Sequence, residues 1–185
     1  MSALVAFTIL VALGFDFING FHDAANSIAT VVATRVLSPG HAVIWAGFWN
    51  LCAVFVLDTG VASTVGKGMV DLKIVTPYVI LAGLLGAITW NLVTWYWGIP
   101  SSSSHALIGG LVGAGLAKAG FNAVVWSGVL KTVAGIVMAP GLGCLLALLL
   151  MVLVSWLFVR STPYGVDHTF RRLQFVSASA YALGH

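Results

Sequence analysis

Residues 16–30 read DFINGFHDAANSIAT and lie inside the first long apolar segment of the chain. On a helix that turns by about 100° per residue, the polar side chains of this stretch share an arc of roughly a quarter turn. They are Asp16, Asn19, Asp23, Asn26 and Thr30, and we call them the polar stripe. Two carboxylates on an apolar helix are costly in lipid, so we expect the stripe to face protein, ions or a water-filled path. A hydrogen-bonded seam between helices is the alternative reading.

The composition is that of a polytopic membrane protein. Of the 185 residues, 60% are hydrophobic and 7% are charged, and there is no Glu. A soluble domain carries about 25% charged residues, so this class is excluded. Most Lys and Arg residues lie in predicted loops, which suits lipid head groups and shows no nucleic-acid-binding pattern. Cys52 and Cys144 lie in apolar runs, and His22, Asp23 and Asn26 do not make a clear set of metal ligands.

Apolar runs and loop signals predict an all-α fold. The first segment lacks a basic n-region, so we interpret it as a membrane helix rather than a cleaved signal, with a kink or break near Gly14 or Gly20. Asp58 falls inside the second segment, where a structural and a functional role are equally favoured. A polar loop is expected over 160–172, followed by a last apolar segment. The expected spans cover about 2–34, 41–65, 77–97 and 122–159.

A second polar element follows Pro100, where Ser101, Ser102, Ser103 and Ser104 open a helix of small residues. Free N–H groups and the positive end of the helix dipole make such a start an anion site, and serine hydroxyls add donors or present oxygens to Na⁺. Simple N-capping is the plainer alternative. Gly109 and Gly113 form a GxxxG pair that predicts close helix contact. Because residues 101–118 are short for a span, we interpret them as a broken or re-entrant half helix.

These two elements predict a binding site for a tetrahedral oxyanion. The anion would lie between the serine-rich helix start and Asp23 with Asn26, and its charge would be met by N–H groups, hydroxyls and a co-transported cation. Asp23 can accept a hydrogen bond from protonated phosphate or ligate Na⁺. Sulfate carries no proton at neutral pH, so the same carboxylate would repel it. The site therefore favours phosphate.

Two motifs resemble the bacterial type of the inorganic phosphate transporter family. They are NGFHDAANSIAT, from Asn19, and WYWGIPSSSSHALIGGLVGAG, from Trp95. The resemblance covers the whole chain as the family's N-terminal half. It implies a multi-pass symporter in the cell membrane that carries inorganic phosphate with Na⁺ or H⁺, in some members as a neutral metal complex. No other cofactor is implied.

The resemblance also assigns residues. Asp23, Asn26 and Ser101–Ser104 are the implied substrate-binding residues. The cation-coupling candidates are Asp23, Asn26, Asn91 and Ser103, where Asn91 follows from the WN pair before the serine run. Asp16, Asn19 and Thr30 are supporting or pathway residues. His22 stands where many members have Asn.

The family is built from two inverted repeats, and this implies a division of the chain. Residues 1–172 would form the first repeat and 173–185 the start of the second, with His185 matching Asn19. We expect a fragment of a longer product, while a half-length protein that dimerises to rebuild the site is the alternative. A homo-oligomer thus stays open as a partner, beside phosphate and membrane lipid.

Loop charges allow two arrangements in the membrane. If the serine-rich helix is re-entrant, Lys73 lies opposite Lys118 and Arg35 lies opposite Arg171. If it crosses, Lys73 joins Lys118 and Arg35 joins Arg171. The first arrangement is more one-sided in charge, whereas an inverted repeat needs an odd number of crossings and favours the second.

Two other functions compete with symport. A passive anion channel would conduct without a Na⁺ or pH dependence. An intramembrane serine hydrolase would use one of Ser101–Ser104 with His105 or His22 as its base, but neighbouring residues on a helix point apart and no G-x-S-x-G is present. We therefore expect no catalytic residues and no enzymatic activity.

Overall fold

The computed structural model describes residues 2–56 and 68–184. These residues form helices, with no β-strand among them. A short 3₁₀ turn, Gly120–Ala123, separates the fourth and fifth helices. The helices are α1 (Ala3–Ala33), α2 (Pro39–Val56), α3 (Pro77–Tyr96), α4 (Ser103–Ala119), α5 (Trp126–Leu157) and α6 (Pro163–Gly184). Among the described residues, five segments are long and apolar enough to cross a membrane. They are α1, α2, α3, α5, and α4 taken together with the 3₁₀ turn that follows it.

The described residues fall into two units. Of the described residues, the first comprises 2–25 and 68–129, and the second comprises 26–56 and 130–184, so that α1 contributes to both. In the first unit α3 and α4 pack against each other along their length. The start of α1 packs on this pair, because Phe15 is buried against Leu84 and Ala87.

Glycine allows the close approach of α3 and α4. A methyl group at Gly110 would overlap the carbonyl oxygen of Gly83, and one at Gly83 would lie 3.1 Å from the Cα atom of Leu111. Gly109 and Gly113, in contrast, have no atom of the described chain within 4 Å of a Cβ position. The GxxxG prediction was therefore wrong in its register, because the contact face of α4 lies one residue further along.

Helix α4 runs back to the first turn of α3. The Lys118 ammonium donates to the Ile74 carbonyl oxygen at 2.9 Å and to Thr76 Oγ1 at 3.1 Å. Thr76 is the residue that precedes the first turn of α3. Lys118 thus lies at the same end of the pair as residues 74–76, which favours counting α4 as a crossing rather than as a half helix.

In the second unit, the end of α1, α2 and α6 pack together. Val31, Ala42 and Ala178 form the buried contact, and small side chains on α2 and α6 let the helices approach. Trp45 donates from Nε1 to Ser179 Oγ at 3.1 Å. Beyond α1 the chain turns at Arg35, which has a φ of 55°.

The expected loop over 160–172 is wrong beyond its first residues. Helix α6 begins at Pro163, whose fixed φ suits the first helical position, and Thr162 Oγ1 accepts from the Gly165 N–H at 3.3 Å. The polar residues that suggested a loop lie on the exposed turns of this helix. The expected repeat boundary between residues 172 and 173 therefore falls inside α6.

Other bounds differ by a few residues. Helix α1 is one continuous helix, so the break expected near Gly14 or Gly20 is absent from it. Helix α5 starts at Trp126 instead of 122, holds Pro140 inside it and has no buried residue. The second span begins at Pro39 and is described to Val56; its remainder, with Asp58, and the terminal His185 lie outside the described residues.

Candidate functional site

The serine run follows a tight turn at the end of α3. Trp97 closes the helix by donating from its N–H to the Val93 carbonyl at 3.2 Å, and Gly98 takes a φ of 64° that other residues rarely adopt. The Ile99 N–H then donates to the Thr94 carbonyl at 2.8 Å. The turn sends the chain back along α3, and α4 begins at Ser103.

The four serines have different surroundings. Ser101 Oγ accepts from Trp90 Nε1 at 3.1 Å. Ser102 is the N-cap of α4, and its hydroxyl accepts from the His105 N–H at 3.4 Å. Ser104 is exposed. Ser103 is buried, and its hydroxyl has no hydrogen-bond partner among the described residues. N-capping thus accounts for one of the four hydroxyls.

Asn91 is the second buried polar side chain of the α3–α4 pair without a partner. It is 0% exposed, and neither its amide nitrogen nor its amide oxygen is hydrogen-bonded to any described residue. Its neighbour Thr94, also 0% exposed, donates to the backbone carbonyl oxygens of Trp90 and Asn91. A buried polar group without a partner costs about 1–3 kcal/mol. The packed helices α3 and α4 therefore hold unpaired hydrogen-bond donors and acceptors at positions where apolar side chains would make the protein more stable.

In the first unit, the segment of α1 that carries Asp23 contacts α3 through an aromatic pair. Asp23 Oδ1 lies 3.2 Å from His22 Nδ1, and the two side chains are 14% and 9% exposed. The Phe21 ring meets the edge of Trp95 at a centroid distance of 5.4 Å. The segment of α1 around Asp23 thus lies beside the end of α3 that leads into the serine run.

The polar stripe is not a buried seam. Asp16 is exposed and Asn19 is half-buried in the first unit, while Asn26 and Thr30 are exposed in the second. Ser27, at the edge of the stripe, is the buried residue, and its hydroxyl has no partner in the described part of the chain.

Sequence reasoning missed His22 as the partner of Asp23, Trp90 as the donor to Ser101, and the burial of Ser27. The contact between His22 and Asp23 was not expected, because side chains at adjacent positions of a helix point apart. Only the packing of α3 on α4 could show which serine is buried. The WN pair drew attention to Asn91, yet its burial without partners was not predictable from the pattern.

The site offers oxygen and N–H groups rather than a transition-metal cage. Among the described residues, no three His, Cys, Asp or Glu side chains come together as metal ligands. Carboxylate, amide and hydroxyl oxygens suit hard cations such as Na⁺, and the first-turn N–H groups of α4 suit an anion. No bond in the described chain joins a hydroxyl of Ser101–Ser104 to an imidazole, as a serine nucleophile would need.

Comparison with known proteins gives consistent relatives. A probable low-affinity inorganic phosphate transporter of Rhizobium meliloti (strain 1021) is 65% identical over 190 residues, covering 100% of this chain and 57% of the relative. Its counterpart in Bacillus subtilis (strain 168) is 45% identical, with the same coverage. A Streptomyces halstedii protein of the same name is 46% identical, covering 98% of this chain and 85% of the relative. The chain spans little more than half the length of the first two.

A solved structure and a family profile complete the comparison. The structure, named "The sodium-dependent phosphate transporter", superposes with a TM-score of 0.79 at 24% identity, covering 98% of this chain and 55% of that one, and shows a shared fold. The profile of the phosphate transporter family matches residues 19–185. With its apolar helices of membrane-spanning length, the chain is a multi-pass protein of the cell membrane, and it belongs to the phosphate transporter family.

Proposed function

We propose that the chain supplies one half of a secondary transporter that moves inorganic phosphate across the cell membrane together with Na⁺ or H⁺. The observation that carries the proposal is the burial of Asn91 and Ser103 without partners beside the start of α4. Such groups are rare in folded proteins unless a ligand, ion or water pairs with them. The names of the relatives support phosphate as the substrate, and the sodium dependence named for the similar structure supports Na⁺.

The anion would bind at the serine-rich helix start. The N–H groups of Ser103 and Ser104 belong to the first turn, where a helix leaves its donors free. These donors and the helix dipole would meet phosphate charge, while Ser101–Ser104 would contribute hydroxyls. Asp23 and Asn26 complete the proposed substrate site, and the protonated form of phosphate would donate to the Asp23 carboxylate.

A cation would bind to the remaining oxygens. Asp23, Asn26, Asn91 and Ser103 are the proposed coupling residues, and Asp16, Asn19 and Thr30 are supporting residues along the path. Phosphate is an anion, so a bound cation would lower the cost of holding it next to a carboxylate. Co-transport would then follow because phosphate and the cation bind next to each other and each stabilises the other in the site. The same reasoning holds whether phosphate enters with Na⁺, with H⁺ or as a metal complex.

The repeat organisation is part of the proposal. Residues up to the α5–α6 connection would form the first repeat, and α6 from Pro163 would belong with the start of the second. This replaces the boundary at 172, which divides a continuous helix.

Uptake of radiolabelled phosphate, in cells that express the gene encoding this chain and lack their own uptake systems, tests the proposal. Replacing Ser103 by Ala should reduce uptake at least about tenfold, since a charge-assisted hydrogen bond contributes roughly 1.5–3 kcal/mol. Ser161→Ala is the matched control because Ser161 is exposed beyond the end of α5 and lies outside the proposed site, and it should retain most of the uptake. Equal uptake in both variants would contradict the assignment of Ser103.

The driving ion is determined in the same assay. Uptake against a phosphate gradient that stops when the Na⁺ or proton gradient is collapsed supports symport. Flux that persists in the absence of both gradients and only equalises phosphate would identify a passive channel and overturn the proposal.

A further inference from the structure

A side-chain hydrogen bond joins α3 to the serine run. Trp90 Nε1 donates to Ser101 Oγ at 3.1 Å, although the two residues are 11 positions apart in the sequence. The turn through Gly98 makes this contact possible, because it sends the chain back along α3. The bond is therefore a tertiary contact of the candidate site.

The chemistry of this bond determines how Ser101 can use its own hydrogen. An indole N–H can only donate, so the serine oxygen must accept. The hydroxyl hydrogen is left over, and no group in the described part of the chain accepts it. Ser101 is only partly buried, so a ligand can reach this hydrogen. A free O–H donor suits an anion, whereas a cation at the same oxygen would lie beside the positive edge of the indole.

Anchoring at the membrane interface is the usual role of tryptophans at the end of an apolar helix. Trp90, Trp95 and Trp97 lie towards this end of α3, and each is more than half exposed. Neither Trp95 nor Trp97 donates its indole N–H to a described residue. Anchoring thus explains the exposed rings, but it does not explain why the Trp90 N–H is bound to a serine of the candidate site.

The part of α3 that carries Trp90 is fixed against α4. Thr94 is fully buried, and its hydroxyl donates to the Trp90 carbonyl oxygen at 2.9 Å. Asn91, the next residue, is also fully buried. The indole N–H is therefore held in place before a ligand arrives, which lowers the entropy that binding must cost.

We propose that Trp90 is a positioning residue of the anion site, whose indole N–H directs the Ser101 hydroxyl hydrogen towards bound phosphate. This rests on the proposed function, which places phosphate at the serine-rich helix start. Without the N–H, the hydroxyl is free to rotate and has to be ordered again when phosphate binds. Trp90 thus acts on the affinity for phosphate rather than on the maximal rate of transport.

The test is the initial rate of radiolabelled phosphate uptake over a range of phosphate concentrations, divided by the amount of the chain in the membrane. Trp90→Phe keeps an aromatic ring and removes the donor, so it should raise the KM about threefold to tenfold and change the maximal rate less than about twofold. Ser101→Ala should raise the KM about tenfold or more, because it removes a hydrogen bond to a charged ligand. Trp156→Phe is the matched control: Trp156 is exposed near the end of α5, and both parameters should stay unchanged.

The double variant, Trp90→Phe with Ser101→Ala, shows whether Trp90 acts through the serine. If it does, the KM of the double variant should equal that of Ser101→Ala, since no hydroxyl is left to orient. Multiplied effects of the two changes would show that Trp90 acts separately from Ser101 and would overturn the inference.

The single variants separate this inference from the proposed function. A raised KM in Ser101→Ala with an unchanged KM in Trp90→Phe would overturn the role of Trp90 and leave the anion site in place. An unchanged KM in Ser101→Ala would remove Ser101 from the proposed anion site, and the role of Trp90 with it.

Discussion

Asn91 illustrates how much a single residue reveals only after packing is known. In the sequence, Asn91 is a polar residue in an apolar helix, and nothing distinguishes one serine of Ser101–Ser104 from another. The structure separates them, because α4 packs on α3 so that Ser103 and Asn91 are buried while Ser104 is exposed. The residue types of the candidate site were thus predictable. The burial of each side chain was not, since it depends on contacts between helices.

Replacing Asn91 by Leu, which has the same branching, should separate stability from function. The change removes two unpaired polar atoms, so the free energy of unfolding in detergent should stay equal or rise by about 1–3 kcal/mol, whereas phosphate uptake should be lost. Thermal unfolding and radiolabelled uptake are the measurements. Thr94→Val is the control: Thr94 is equally buried but hydrogen-bonded, so its replacement should cost about 1 kcal/mol. A destabilised Asn91→Leu variant would show that the amide has a structural partner.

At the scale of helices, periodicity and composition predicted where most helices lie but not which faces they use. The expected spans begin and end within a few residues of α1, α3 and α5. The start of α6 was missed because its exposed charged residues resemble a loop, although Thr162 and Pro163 form an ordinary helix start. The contact face of α4 was predicted one residue too early. Gly109 with Gly113 and Gly110 with Ala114 are both pairs of small residues spaced four apart, so the spacing alone does not distinguish them.

The glycine contact predicts a pair of opposite effects on stability. Gly110→Ala would place a methyl group against the Gly83 carbonyl, so it should lower the free energy of unfolding by about 1–3 kcal/mol. Gly109→Ala meets no described atom and should be neutral or raise helix stability by up to about 1 kcal/mol. Thermal unfolding of both variants in the same detergent compares them directly. If Gly109→Ala proved the more damaging change, the register assigned to the α3–α4 contact would be incorrect.

For the whole molecule, composition was sufficient to predict a polytopic membrane protein, and two motifs were sufficient to indicate the family. The path of the serine-rich helix was harder to predict because loop charges supported two arrangements. The contacts within each unit favour one of the two arrangements. Lys118 reaches Ile74 and Thr76 in the first unit, and Arg171 reaches the Arg35 carbonyl in the second. Both contacts match the arrangement in which α4 crosses.

Cysteine accessibility in intact cells tests this arrangement. With Cys52 and Cys144 replaced by Ser, single Lys73→Cys and Lys118→Cys variants should react with a membrane-impermeant maleimide from the same side of the membrane. Arg35→Cys and Arg171→Cys should likewise behave as a pair, because a 3.0 Å hydrogen bond cannot join residues on opposite faces of a bilayer about 30 Å thick. Permeabilised cells provide the positive control for every site. Labelling of Lys73→Cys and Lys118→Cys from opposite sides would support the re-entrant half helix. It would contradict the packing of α4 along the full length of α3.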